Sequence, residues 1–206
     1  MPPRKSTLIR RQEILAAALS VIADKGVSGL TISELAGRAG MSDANIYRHF
    51  KAGKQEVLLA ITDFIGEEIM VRAGTVATGG GSALARLRKI FVAHAGLVAA
   101  NPGVPRFMFS EEVHLGDRRL GEKMSARMGE YVSILAGLCR EGIEAGVLRP
   151  GLVPRETAIT MLGMIQFTAL RWSVSRGSVL IEEEAERLWE NFALLVTADS
   201  GSVAGA

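Results

Sequence analysis

Apolar residues in this chain recur at intervals of three and four. Ile14, Leu15, Ala18, Leu19 and Ile22 keep one face apolar and stop at Asp24-Lys25-Gly26. That is the period of an amphipathic helix with a glycine just past its end. Ser6 or Thr7 can cap its start. "TISE", residues 31–34, is a capping-box signature for a second helix of about two turns ending at Gly40. Ser42 caps a third helix, equally short, which "FKAGK" ends at Gly53. A fourth begins near Lys54 and decays into "TGGGS", residues 78–82, the clearest linker of the chain. Helical patterns follow over Ser82 to Ala100, about Val104 to His114, about Asp117 to Ala145, Pro154 to Arg176 with proline in the first turn, and about Ile181 to Ala198. The tail "DSGSVAGA", residues 199–206, predicts disorder. No stretch longer than four residues alternates, and no internal repeat is visible. The pattern therefore predicts an all-α fold of about nine helices.

Composition narrows this further. A chain of 206 residues with 48% hydrophobic and 5% aromatic content suits one good-sized helical domain or two small ones. The N-terminus "MPPRKSTLIRR" leads into a charged amphipathic segment, so no secretory signal is read. The longest strongly apolar uncharged run, residues 157–170, has 14 residues, short of the roughly 20 that a bilayer requires. The expectation is a cytoplasmic protein with no membrane span. The single cysteine, Cys139, excludes an internal disulfide and a cysteine-based zinc site, and its apolar helical position reads as packing. The sequence contains no nucleophile elbow, phosphate-binding glycine loop or metal-ligand motif, so neither an enzyme nor a cofactor is expected.

Net charge is only +2, but it is unevenly distributed. Residues 1–54 hold nine Lys/Arg against four acids, a net of +5, whereas the other 152 hold fifteen against eighteen, a net of −3. Such asymmetry points to a basic module that meets a polyanion. The module is domain 1–54, with the fourth helix as connector to a second domain, 55–198. Within it, two short helices joined by a glycine turn make a helix-turn-helix. Ala36 is small where the helices cross, Gly40 permits the turn, and Ile46 anchors the second helix on the first. The helix from Asp43 to Phe50 then turns Ile46 and Phe50 inward. Its other face is rich in donors and acceptors and suits the edge of a DNA major groove.

The stretch "ILAAALSVIADKGVSGLTISELAGRAGMSDANIYRHFKAGKQEVLLAI" resembles the TetR-type transcriptional regulators, over about residues 9–61. One residue more than is usual there separates Phe50 from Lys54. The resemblance implies two sorts of surface residue. Thr31, Tyr47, His49 and Lys54 look like phosphate-positioning residues. Ser33, Asp43, Ala44 and Asn45 look like readers of base edges, with Arg48 as a further reader: Asn45 can pair bidentately with adenine, Asp43 can only accept, and Ala44 can touch a thymine methyl. Hydrogen bonding within the domain is the alternative for Tyr47 and His49. Ser42, like Thr31, is a cap that leaves DNA contact open. Past residue 75 only the general plan of a divergent helical regulatory domain is similar. The implied function is a ligand-responsive DNA-binding regulator, by family habit a repressor. Alternatives are a DNA-binding or partner-binding protein without an effector, and a helical enzyme.

The last two long helices are more apolar than a monomer's surface tolerates. Ile159, Leu162, Ile165 and Phe167, with Leu188, Phe192 and Leu195, are expected to form a homodimer interface, and a symmetric dimer reads a pseudo-palindromic double-stranded DNA operator. The candidate wall of an effector cavity comprises Phe91, His94, Phe107, Met108, Glu111, Met128, Tyr131, Phe167 and Arg171. Ordinary core packing is the alternative. That wall favours a small, largely apolar effector carrying one acidic or hydrogen-bonding group. His94, His114 and a glutamate lack tight metal-ligand spacing, so no metal site is assigned.

Overall fold

The structure is a computed structural model that describes residues 6–175, 178 and 180–198. Its elements are α1 (Thr7–Lys25), α2 (Ile32–Ala39), α3 (Asp43–His49), α4 (Lys54–Ala77), α5 (Ala83–Ala100), α6 (Gly103–Met108), a π-helical turn (Glu112–Gly116), α7 (Arg118–Glu144), α8 (Pro154–Val174) and α9 (Ile181–Val196). Among the described residues extended pairing is limited to one isolated bridge, Leu148 to Thr197. The all-α expectation holds. The tail at 199–206 lies outside the described residues.

Two compact units emerge: residues 1–67 with 101–125, and residues 68–100 with 126–206. The division by contacts falls inside α4, the helix read from the sequence as the connector. In the first unit α1 is the central element. Ile14, Ala18, Val21 and Ile22 are fully buried, and α2 and α6 pack against it. The reason α6 belongs here is steric. Gly103 lies so close to α1 that a Cβ would overlap the Leu19 carbonyl oxygen, an approach no larger side chain tolerates. Arg106 adds a donated bond to the carbonyl of Ala23.

The single helix expected from Val104 to His114 is in fact broken. Phe107 and Val113 are both fully buried, yet six residues of continuous helix would set them about 120° apart. Ending α6 at Met108 and making a wider turn over Glu112–Gly116 lets both face the core. The capping box at α2 forms by half. Thr31 Oγ1 accepts from the Glu34 amide at 3.1 Å, while the Glu34 carboxylate pairs instead with Lys25 at 2.7 Å.

The second unit packs α5, α8 and α9 on one another, around Phe91, Leu135, Met161, Ile165, Trp189 and Phe192. Phe91 and Phe192 flank the Trp189 ring at 5.5 and 5.6 Å between centroids. Arg149 closes the last turn of α9 by donating to the carbonyls of Leu194 and Thr197, each at 3.1 Å, which satisfies acceptors that a helix end leaves open.

Candidate nucleic-acid interface

The turn between α2 and α3 depends on Gly40, which sits at φ +64° and donates to the carbonyl of Ala36. A left-handed residue here costs glycine nothing and a side chain about 1 kcal/mol or more. Ser42 then caps α3, its hydroxyl accepting from the Asn45 amide at 3.4 Å. With the start fixed, helical geometry divides the side chains. Ile46 and Phe50 are fully buried. Asp43, Ala44, Tyr47 and Arg48 are exposed, as are Thr31, Ser33 and Ser42, while Asn45, His49 and Lys54 are half-buried. All ten expected residues thus lie in the first unit, nine with polar side chains and Ala44 with a methyl, at or near its surface.

Several of these groups already have partners inside the unit. The Tyr47 ring lies against Gly53, where an added Cβ would stand 3.4 Å from its Cε1. Its outer part remains exposed. Lys54 Nζ donates to the Val27 carbonyl at 2.7 Å and to Glu112 Oε2 at 3.1 Å. Arg38, at the end of α2, bonds Asp24 at 2.6 Å and also Ser20. Arg48 and Lys51 are exposed, and no ion pair engages either among the described residues. They are the cations most open to an outside anion. The His49 imidazole is held below its ordinary pKa, first by partial burial and then by the charges of Arg48, Arg11 and Arg10.

Sequence reading missed Arg11. This residue of α1 donates to the His49 carbonyl at the end of α3, lies 4.1 Å from the Phe50 ring centroid, and pairs with Glu56 at 3.5 Å. The signal was present: Arg11, Leu15, Ala18 and Ile22 share one helical face, so a charge stands in an apolar stripe.

The second unit contains a cavity of about 20 Å³, lined by Ile69, Arg72, Ala73 and Val76 of α4, Ile90, Ala93, His94 and Leu97 of α5, and Tyr131 of α7. Of the nine expected wall residues it gathers two, His94 and Tyr131. His94 Nδ1 lies 3.1 Å from the Tyr131 hydroxyl, with the rings edge to face. Phe91 is instead core beside Trp189. Phe167, at 63% exposure, and Met128 face outward, and Arg171 is paired with Glu184. Phe107, Met108 and Glu111 belong to the first unit. Helical period alone does not separate core from cavity wall, which is why only two of the nine line this cavity.

The expected dimer residues also divide. Leu162, Ile165 and Phe192 are buried in their own unit, whereas Ile159, Phe167 and Leu195 are exposed and Leu188 is half-buried. Ile159, Phe167, Leu170 and Val174 line one face of α8, with the bare Gly163 among them. No group of three or more potential metal ligands occurs among the described residues. Burial pushes the Cys139 thiol up to about 11, so it stays protonated. No helix of the described chain is long and apolar enough to cross a membrane.

Comparison with known proteins bears on this arrangement. Residues 14–61 match the family model for bacterial regulatory proteins of the tetR family, and residues 80–196 match that for a tetracyclin repressor-like C-terminal domain. A fatty acid metabolism regulator protein of Bacillus subtilis is 26% identical over 160 residues, covering 78% of this chain and 81% of that protein. The nucleoid occlusion factor SlmA of Vibrio vulnificus is 26% identical over 182 residues, covering 87% and 92%. The solved structure of FadR from Bacillus subtilis in complex with stearoyl-CoA superposes with a TM-score of 0.76 at 24% identity, covering 88% of this chain and 97% of that one, which establishes likeness of fold.

Burial of the His94 ring lowers its pKa from 6.5 to about 4. The unfolded chain takes up a proton near 6.5 that the native ring refuses, so stability is fully present above that pH and falls as pH drops toward 4. Urea denaturation at pH 7 and pH 5 should show this loss, on the order of 1–2 kcal/mol for a ring still partly reached by water. His94→Gln should lose measurably less, and parallel pH profiles for the two proteins would mean that the ring is freely solvated.

Proposed function

The chain belongs to the TetR family of bacterial regulatory proteins, DNA-binding transcriptional regulators rather than enzymes, and we propose on that premise that it is a cytoplasmic dimeric repressor released from its operator by a small ligand. The observation that carries the DNA-binding part is the face of α3. A seven-residue helix buries Ile46, its C-cap Phe50 is buried beside it, and Asp43, Ala44, Arg48 and the half-buried Asn45 lie on the other side, a set whose donors, acceptors and methyl match base edges in the major groove. Ser33 of α2 adds a further base-edge hydroxyl, and Thr31, Ser42, Tyr47, His49, Lys51 and Lys54 surround the face with groups suited to phosphate and sugar oxygens. Phosphate beside His49 would favour its imidazolium, against the burial and the Arg48, Arg11 and Arg10 charges that disfavour it.

The exposed stripe of α8, with Leu194 and Leu195 of α9 exposed at 74% and 67%, supports pairing of two copies through these helices. Such a dimer presents two α3 helices to half-sites one DNA turn, roughly 34 Å, or more apart. The effector site is the cavity between α4, α5 and α7. At about 20 Å³ it has room for a single water, and a drug-sized ligand needs hundreds of cubic ångströms. A ligand of that size must part α4 from α5 to enter. Because α4 continues without interruption from this wall back to Lys54, its displacement reaches the chain entering the DNA-binding unit. The wall, apolar apart from Arg72 and the His94–Tyr131 pair, suits an apolar molecule carrying a polar or acidic group, and only the acyl chain of the stearoyl-CoA bound by the solved relative is of that apolar kind.

A second reading, a DNA-binding protein with no effector, is favoured by the likeness to a nucleoid occlusion factor and by the small cavity. Release of selected DNA by any member of an acyl-ligand and hydrophobic-drug panel decides for the first reading. Retention throughout decides for the second.

Two outcomes test the DNA and dimer assignments. In selection from a randomised duplex library, Asn45→Gln or Asn45→Arg should change the preferred sequence, whereas Tyr47→Ala should weaken all sequences about equally. An unchanged site for both Asn45 variants contradicts the reader assignment. Phe167→Glu places a charge in the proposed interface, at a cost of several kcal/mol. Light scattering should then report monomers, and an unchanged dimer mass contradicts the interface.

A further inference from the structure

We propose that Glu112 is a built-in competitor of DNA: its carboxylate occupies, in the DNA-free protein, the anion position that Lys54 offers to an operator phosphate. The proposal rests on the reading of α3 and the start of α4 as the DNA-binding face.

An ammonium has three donor positions. Lys54 commits one to the Val27 carbonyl at 2.7 Å and one to Glu112 Oε2 at 3.1 Å. The first bond ties the charge to the unit's own backbone and survives whichever anion sits outside. The second is exchangeable, since the side chains of Lys54 and Glu112 are 32% and 43% exposed. A carboxylate and a phosphate are both anionic oxygen acceptors for a single ammonium, and each repels the other at contact range. Either Glu112 swings away when a phosphate arrives, or the operator is held less tightly than the basic residues alone would allow.

The carboxylate reaches this place on a framework. Val113, its neighbour in the π-helical turn, is fully buried, and His114 Nε2 lies 2.7 Å from the Met108 carbonyl oxygen. Upstream, α6 is seated on α1 by Gly103 and by the bond from Arg106 to Ala23. A π-helical turn is uncommon and recurs at functional sites. Here it presents one carboxylate to the one lysine that opens α4. The consequence is a two-way linkage: DNA that captures Lys54 frees the turn, and anything that shifts residues 109–117 alters DNA affinity through Lys54.

The test is a double-mutant cycle on Glu112→Gln and Lys54→Met, each full-length protein titrated over a range of salt against a duplex selected in vitro by the wild-type protein and against a scrambled duplex of the same composition. Glu112→Gln should bind the selected duplex about three- to tenfold more tightly at low salt. The magnitude of its salt slope should rise toward one additional ion, because Lys54 then gives its full charge to the phosphate. In the Lys54→Met background the same substitution should change affinity less than twofold. An equal gain in both backgrounds would make Glu112 a general source of repulsion and overturn the exchange. No gain, or a loss, in the single variant would overturn it as well. If Lys54→Met alone leaves affinity and slope unchanged, Lys54 is no phosphate ligand and the proposal falls, while binding of the selected over the scrambled duplex still tells whether the α3 face reads DNA. Thermal unfolding of each variant checks that the fold is retained, and Glu112→Ala gives a second neutral variant with the same expected sign.

Discussion

Arg11 holds the end of α3, the helix that carries most of the proposed base-edge contacts. A helix of seven residues is far below the length that is stable alone in water, so its direction must come from outside. At the start, Ser42 and the left-handed Gly40 fix where the helix begins. At the end there is no glycine cap: Phe50 closes the helix at φ −137° and ψ 83°, leaving carbonyls open. Arg11 fills that gap with a bond to the His49 carbonyl, a face over the Phe50 ring and an ion pair to Glu56. A cation at the negative end of a helix and over an aromatic face contributes about 1–2 kcal/mol in such half-exposed geometry. The larger effect is geometric, because three directions of contact leave the last turn of α3 only one position.

The same economy of cations recurs across the first unit. Arg11, Arg38 and Lys54 each have work inside the chain, and Arg48 and Lys51 face outward. The basic excess of residues 1–54 therefore overstates the charge available to DNA, since part of it is structural and part is shared with Glu112. Net charge read from a sequence reports attraction in general. Which cations deliver it is decided by side-chain partners.

Much of the fold was legible because its signals are local. Ser6, Thr31 and Ser42 cap helices as expected, and Gly26 and Gly40 end α1 and α2. Ile46 and Phe50 are buried where the helical period puts them. What escaped depends on contacts distant in sequence. The break after Met108 comes from Phe107 and Val113 competing for one core. The cavity escaped because Phe91 and Phe167 carry equally apolar patterns, one inside against Trp189 and the other at the surface. Arg11 escaped because a charge in an apolar stripe has no meaning until Phe50 and the His49 carbonyl are brought to it across 38 residues.

The most direct test of this account is Arg11→Lys, which keeps the charge and removes the planar fork. Affinity for a selected operator and for a scrambled duplex should be measured over a range of salt, well below the unfolding temperature. If Arg11 positions α3, the ratio of selected to scrambled affinity should fall about tenfold while both salt slopes stay unchanged. A ratio equal to that of the wild type, or equal losses on both duplexes, would contradict the claim that the recognition helix is aimed by this one side chain.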